Sequence, residues 1–136
     1  MTQTPPLSLI QTLSRGIKGK CPHCGEGRLF RKWLKVIDRC EVCGEEFHHH
    51  RADDFPAYIV VAILGHVMVT FALLLEDLYA PPFWVHLATT LPLTFLLAVA
   101  LLQPAKGAVV AVQWRMGLHG FAASKRLRDG APHDAV

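Results

Sequence analysis

Two long apolar stretches occupy the middle of the chain, at residues 56–75 and 83–102. Neither contains an acidic residue, a lysine or an arginine; the first holds His66, and the second holds His86 near its start. A helix rises about 1.5 Å per residue, so twenty residues span roughly the 30 Å of a bilayer's hydrocarbon core. The pattern therefore predicts two transmembrane helices over these ranges.

The connection between the two stretches is short, residues 76–82. Helices joined by so short a loop are antiparallel neighbours. A pair of buried helices in a soluble core is the alternative interpretation. A chain of 136 residues offers too little other sequence to cover two helices that are apolar on all sides. We therefore expect a transmembrane hairpin with 76–82 as its loop.

The basic residues flank this hairpin and avoid its loop. Residues 1–55 contain nine of the fourteen lysines and arginines, residues 56–105 contain none, and the others follow the second stretch. The positive-inside rule then places both termini in the cytoplasm and the loop outside. Because aromatic rings settle at membrane interfaces, Trp84 is expected at the outer interface and Trp114 at the inner one.

The segments on either side of the hairpin predict shorter elements. Residues 1–20 form a basic segment that is compatible with a short interfacial helix, and an unstructured terminus is the alternative. Pro104 is expected to end or kink the second membrane helix, and a separate interfacial helix is predicted over residues 105–121. Its apolar stripe consists of Val110, Trp114, Leu118 and Phe121. The polar residues 122–136 are predicted to form a disordered tail.

All four cysteines fall into two Cys-x-x-Cys pairs with fifteen residues between them. This spacing is typical of a zinc site with four thiolate ligands, because each pair wraps one tight turn and four sulfurs satisfy the tetrahedral preference of Zn²⁺. The predicted ligands are Cys21, Cys24, Cys40 and Cys43. Four protein ligands leave no open coordination position, so we expect one structural zinc ion per chain, in a zinc-ribbon-like module over residues 21–50.

Redox chemistry and disulfide bonding are the alternatives for these cysteines. A thioredoxin-type pair needs a preceding strand and a helix that starts within the motif, but only twenty residues precede Cys21 and a glycine-rich stretch follows Cys24. No secretory signal is recognised, so structural disulfides are not expected. The apolar residues between the pairs, among them Leu29 and Val36, predict a short hairpin whose folding depends on the metal.

Eight histidines raise the question of a second metal or a haem. The run His48 to His50 follows the second cysteine pair, but consecutive side chains cannot all point at one ion, which favours a solvated polar run. His66 lies at mid-span, where an ionisable residue is a functional candidate, although a hydrogen bond to a neighbouring helix is the simpler interpretation. His66 and His86 differ in depth by roughly 10 Å, too much for both to ligate one haem iron within one chain.

The order of the motifs carries a family resemblance. Cys-Pro-x-Cys-Gly-x-Gly-x-Leu-Phe occupies residues 21–30, Cys-x-x-Cys-Gly occupies 40–44, and Ala-Asp-Asp-Phe-Pro-Ala occupies 52–57, with Phe55 where we expect the family to have glycine. Two apolar spans follow. The closing segment then holds Pro104, Lys106, Gly107, Gln113 and Arg115. Over about residues 18–120, the chain resembles the DUF983 family of small bacterial membrane proteins.

This resemblance carries implications that the residues alone do not. The family is of uncharacterised function, and its members often occur beside genes for haem–copper cytochrome oxidase subunits and their assembly factors. The resemblance therefore implies an accessory or assembly role around that oxidase, in the bacterial inner membrane. The expected fold is a membrane protein with a small N-terminal four-cysteine zinc ribbon, a two-helix transmembrane hairpin and a C-terminal interfacial helix.

Three functional hypotheses follow. The first is a non-enzymatic accessory or assembly protein that contacts a membrane-protein partner; the second is a thiol-redox or metal-handling factor that uses the Cys-x-x-Cys pairs. The third is a membrane-tethered nucleic-acid-binding ribbon, for which acidic neighbours offset the basic cluster. That cluster consists of Arg28, Arg31, Lys32, Lys35 and Arg39. The sequence has no nucleophile–base arrangement and no phosphate-binding glycine loop, so neither enzymatic activity nor a small-molecule substrate is expected.

Overall fold

The computed structural model describes residues 7–48 and 54–128. Four α-helices, two short strands and a 3₁₀ turn occur in this part of the chain. In chain order they are α1 (Leu9–Ile17), β1 (Phe30–Lys32), β2 (Lys35–Val36), α2 (Phe55–Tyr79), α3 (Phe83–Met116), the 3₁₀ turn (Leu118–Gly120) and α4 (Phe121–Arg128). Helices α2 and α3 pack against each other, and α1 packs on α3.

Helices α2 and α3 form the predicted hairpin with longer arms and a shorter loop. Helix α2 extends past the predicted boundary at residue 75, so the connection is residues 80–82 instead of 76–82. The last turn of α2 is closed by a hydrogen bond from the Ala80 N–H to the Glu76 carbonyl oxygen, 2.9 Å long. The Glu76 carboxylate also lies 2.9 Å from His86 Nε2 on α3, which links the two helices at this end.

Both helices are long and apolar enough to cross a membrane. Their most apolar windows are barely covered by the remainder of the described chain, with 11% of the α2 window buried and none of the α3 window. The core helices of a soluble protein would be mostly buried. The pair therefore presents a broad, almost uncovered apolar surface.

Helix α3 continues as one helix past Pro104, so this residue does not end it, and the predicted separate helix over residues 105–121 is corrected. A proline inside a helix removes one backbone hydrogen bond, but neighbouring contacts can compensate for that loss. The segment after Pro104 is also held by a contact outside the helix, because Lys106 donates through Nζ to the Leu34 carbonyl oxygen at 2.7 Å. With 34 residues, α3 is about 51 Å long, far more than a bilayer core requires.

Helix α1 lies along the second half of α3. It begins with a capping box in which Ser8 and Gln11 exchange side-chain and backbone hydrogen bonds. Its buried face is made of small residues, Thr12 and Gly16, and Gly16 faces Gly107 of α3. Within the predicted segment 1–20, residues 9–17 are thus helical, and one face of the helix packs on α3 through its small residues. Its position on the lipid surface stays a prediction.

The C-terminal segment also differs from its prediction. Residues 121–128 form α4, where a disordered tail was expected from residue 122. The helix is held because Phe121 is fully buried and makes an edge-to-face contact with Phe47, with ring centroids 6.3 Å apart. The remaining tail, residues 129–136, lies outside the described residues.

The cysteine-bearing module and the second half of α3 share one core. Strand β1 pairs antiparallel with β2, opposing Phe30 to Val36, and forms the predicted short hairpin. The buried members of the core are Cys21, Leu29, Phe30, Val36, Cys40, Phe47, Val109, Val110, Trp114 and Phe121. Trp114 of α3, expected at the membrane interface, is instead only 7% exposed and belongs to this core.

Candidate metal centre

The two cysteine pairs form two turns of the same construction. In the first, the Gly25 N–H donates to the Cys21 carbonyl oxygen at 2.8 Å; in the second, the Gly44 N–H donates to that of Cys40 at 3.0 Å. Both glycines have positive φ, 75° and 74°. A side chain would strain this left-handed conformation, so glycine is the residue that lets each turn close.

A second set of hydrogen bonds brings each turn back on itself. The Cys21 N–H donates to the Gly27 carbonyl oxygen at 2.7 Å, and the Cys40 N–H donates to that of Glu45 at 2.8 Å. Outside the second turn, Arg39 and Glu46 pair through an antiparallel β-bridge of their backbones, and their side chains form a 2.6 Å ion pair. These backbone hydrogen bonds close both turns around the four cysteines.

The four sulfurs converge as the sequence predicts. All four lie within 4.8 Å of one another, with 3.7 Å between the sulfurs of Cys21 and Cys43 and 3.8 Å between those of Cys24 and Cys40. Thiolates placed about 2.3 Å from a tetrahedral ion are about 3.8 Å apart, so the cluster has the size that such an ion requires. A disulfide has sulfurs about 2.05 Å apart, and the cysteines are free in this structure.

The cluster contains thiols in unlike environments. Cys21 and Cys40 are buried, whereas Cys24 and Cys43 are half-buried. Burial raises the pKa of the Cys21 thiol well above its ordinary range, and it raises the pKa of the Cys43 thiol to about 11. Burial also acts on Cys24, but backbone N–H groups, first that of Gly27, outweigh it and lower the pKa of that thiol to about 7. Metal binding must therefore displace protons from this site.

Release of protons gives a testable pH dependence. At pH 7 the Cys21 and Cys43 thiols are protonated in the metal-free site, since their pKa values are raised above that pH. Binding of a divalent metal by all four sulfurs should therefore release at least these two protons, and the affinity should fall as the pH decreases. Titration calorimetry in two buffers with different ionisation enthalpies measures this release; uptake of metal without it would contradict four-thiolate binding.

Helix α1 is fastened to the first cysteine turn by Arg15. Its guanidinium donates from Nη1 to the carbonyl oxygens of Pro22 and His23, at 3.3 and 3.0 Å. These carbonyls belong to the residues between the two cysteines of the first pair. Nothing in the sequence pattern around Arg15 distinguishes it from the other basic residues of the N-terminal segment.

Helix α3 contacts the same turn through Trp114. The Trp114 ring makes an edge-to-face contact with the His23 ring, with centroids 5.8 Å apart. On the C-terminal side, Lys125 Nζ lies 3.9 Å from the centre of the Trp114 ring and donates to the Trp114 carbonyl oxygen at 2.7 Å. Trp114 therefore connects the metal centre to both α3 and α4.

Gly27 is a site residue for a steric reason that the sequence does not reveal. A methyl group built on Gly27 would collide with the Cys40 sulfur. Gly27→Ala should therefore displace one ligand and weaken metal binding by about 10- to 100-fold, the loss typical of disturbed metal surroundings. Gly65→Ala is the control, because no atom lies within 4 Å of the position that its methyl group would take and Gly65 lies in α2, away from the cysteine turns. Competition with a chromophoric chelator measures the metal affinity of each variant. Equal affinities of the two variants would contradict this role of Gly27.

The structure places the other candidate residues apart from this centre. His66 bonds through Nδ1 to the Ala62 carbonyl oxygen of its own helix, at 2.7 Å, where the sequence suggested a neighbouring helix. His86 pairs with Glu76, so the two histidines have different partners. Of the run at residues 48–50, His48 lies in a turn, whereas 49 and 50 are outside the described residues.

The comparisons with known proteins give one match. Neither the curated proteins nor the solved structures contain a match to this chain. The family model for proteins of unknown function named DUF983 matches residues 30–114, which include the second cysteine pair, α2 and most of α3. The match confirms the resemblance, although the first cysteine pair lies before its start. The chain therefore belongs to the DUF983 family, whose description is that of a protein of unknown function.

Proposed function

We propose that this protein is a membrane-anchored zinc-binding accessory or assembly protein, which acts through protein–protein contacts without catalysing a reaction. One observation carries the proposal: the four-cysteine module and the end of α3 share a single buried core. A metal bound to the cysteines would hold this module rigidly on the helix hairpin. The surface of the module would then have a fixed position at the membrane, where a partner protein could bind it.

Zinc is the metal that we propose. Zn²⁺ accepts four thiolates in a tetrahedral arrangement, and the sulfur separations of 3.7 and 3.8 Å suit that geometry. Four thiolates fill the coordination sphere, so substrate has no position at the ion. The zinc would then be structural, with one ion per chain.

The bilayer is the proposed environment of α2 and α3. Their apolar windows remain almost wholly unburied, and a bilayer would cover them. The basic residues lie on the side of the N-terminal module and the end of α3, which favours a cytoplasmic position for both termini. The proposed location is the bacterial inner membrane, which the chain crosses twice.

The partner-binding surface that we propose lies on α1. Leu9, Ile10 and Ile17 are exposed on this helix, with Ile10 at 79%. Exposed apolar side chains that cluster on one element mark an interaction surface. Because α1 is attached to the first cysteine turn by Arg15, loss of zinc would also displace this surface. The family resemblance makes a haem–copper oxidase, or its assembly factors, the first partner to test.

The test is recovery of a partner from native membranes. A tagged protein is crosslinked in intact membranes, purified in mild detergent and analysed by mass spectrometry. We expect a defined membrane complex with the wild-type protein and its loss with Ile10→Ser. Val42→Ser, which removes an apolar side chain that is 58% exposed elsewhere, should retain the complex. If the wild-type protein recovers no membrane protein at a defined stoichiometry, the proposal is wrong.

A further inference from the structure

The tip of the β1–β2 hairpin lies beside the end of the apolar part of α3. Lys106 of α3 donates from Nζ to the Leu34 carbonyl oxygen in this tip, at 2.7 Å. Lys106 follows the last residue of the apolar stretch, Leu102, by four positions. Four helical residues correspond to about 6 Å along the axis, which is within the headgroup region that borders a hydrocarbon core.

The other contacts along α3 show that the tip is the end of the module nearest to the apolar stretch. Gly107 faces Gly16 and the Phe30 ring. Further along α3, Trp114 contacts His23, and Arg115 donates to the Leu7 carbonyl oxygen. The first cysteine turn and the start of α1 therefore lie farther from the apolar stretch than the hairpin tip does.

The tip carries the side chains that membrane interfaces favour. Trp33 is 49% exposed, and Lys32 and Lys35 on either side of it are also exposed. With Lys106, these residues border one open groove, which also contains the carboxylate of Asp38. Three lysines against one aspartate leave this groove positively charged.

We propose that this tip is a lipid-binding element, in which Trp33 enters the cytoplasmic interface and the three lysines bind the phosphates of anionic headgroups. The proposal rests on the insertion of α2 and α3 in the bilayer. Tryptophan prefers the headgroup level, and lysines near the surface are attracted to anionic lipid. The tip would set the height and tilt of the metal module above the bilayer.

Tryptophan fluorescence in reconstituted vesicles tests the position of the tip. The full-length zinc-bound protein is placed in phosphatidylcholine vesicles with or without phosphatidylglycerol, in which part of the lipid is brominated near the carbonyl end of its chains. Trp33→Phe and Trp84→Phe variants isolate the emission of the two rings by difference. We expect bromine to quench the Trp33 component and the component to be blue-shifted, more strongly when phosphatidylglycerol is present.

The Trp84 component separates the two proposals. If Trp84 is quenched and Trp33 is not, the tip does not touch lipid and this inference is wrong, while membrane insertion stands. If neither ring is quenched, insertion of the hairpin is wrong, and the inference is wrong with it.

A charge variant tests the role of the lysines. Lys32→Gln/Lys35→Gln should abolish the extra quenching that phosphatidylglycerol produces. Arg28→Gln/Arg126→Gln removes as many charges, at exposed positions beside the first cysteine turn and on α4, and should preserve it. Quenching of Trp33 that does not depend on phosphatidylglycerol would overturn the assignment to anionic lipid. If both variants lost the extra quenching equally, the net charge of the protein would explain it, and the assignment to these lysines would be wrong.

Discussion

The Cys21→Ser/Cys40→Ser variant is expected to lose its zinc and the folded structure of its N-terminal module. It removes the two buried ligands, one from each turn. Structural zinc sites contribute about 10–16 kcal/mol in small peptides at neutral pH, far more than so short a hairpin could supply by packing. Metal analysis of the detergent-purified protein should give one zinc ion per chain in the wild type and none in the variant.

The extent of unfolding is the more informative part of this experiment. Phe47, Val110 and Trp114 belong to the same core as the buried cysteines, so loss of the metal should also loosen the end of α3 and release α4. The near-ultraviolet circular dichroism of Trp114 should decrease, while the helix content of α2 is retained. Val42→Ser is the matched control, because Val42 lies between the cysteines of the second pair and is exposed.

Three results would contradict the structural role of zinc. Retention of stoichiometric zinc by the double variant would mean that the ligands lie elsewhere. Copper or iron in place of zinc in the wild-type protein would favour the metal-handling hypothesis instead. Rapid alkylation of all four thiols in the native protein would favour the thiol-redox hypothesis, because a closed zinc site protects its ligands.

The convergence of the four cysteines could be predicted from the sequence because its determinants are local. Each cysteine pair and its following glycine form a turn within five residues, and the spacing alone indicates that the two turns share an ion. The two apolar helices could also be predicted from the sequence, since the length and composition of their apolar stretches define them. Their exact ends depend on contacts such as that between Glu76 and His86, which a hydropathy pattern does not contain.

The predictions for the segments beyond the hairpin were less accurate because they depend on long-range packing. Three of the four residues of the predicted stripe, Val110, Trp114 and Phe121, are buried, whereas Leu118 is 42% exposed. Periodicity shows that a face is buried but does not identify what covers it, and here the cover is the cysteine module instead of lipid. The prediction that Pro104 would end the helix was wrong for the same reason. The rule for proline considers only the local backbone, and it takes no account of the cysteine module that packs on the part of α3 after Pro104.

The contact between Gly16 and Gly107 could not be predicted from the sequence. The apolar residues of α1 suggested a lipid-facing helix, yet the contact with α3 is made where both helices lack a side chain. Glycines inside helices lower helix propensity by about 1 kcal/mol each, so a packing role explains their presence here. The close approach also positions Arg15 over the first cysteine turn.

Gly107→Ala is therefore expected to separate α1 from α3. The added methyl group would lie well inside contact distance of the Gly16 carbonyl oxygen, a backbone atom that can move only with its helix. Overpacking of this kind typically costs about 1–3 kcal/mol. The free energy of unfolding of the module should fall by that amount, and trypsin should cleave after Arg15 or Lys18 more rapidly than in the wild type. Gly16→Ala should have a similar effect.

Gly65→Ala separates this steric effect from a change in helix propensity. Gly65 also lies inside a long helix, but no atom lies within 4 Å of the position that its methyl group would take. Alanine should therefore leave stability unchanged or raise it by about 1 kcal/mol. If Gly107→Ala behaved like Gly65→Ala, with unchanged cleavage of α1, then the contact between α1 and α3 would not hold the module on the hairpin. A selective effect at Gly107, accompanied by weaker metal binding, would show that the contact between α1 and α3 stabilises the metal-bound module.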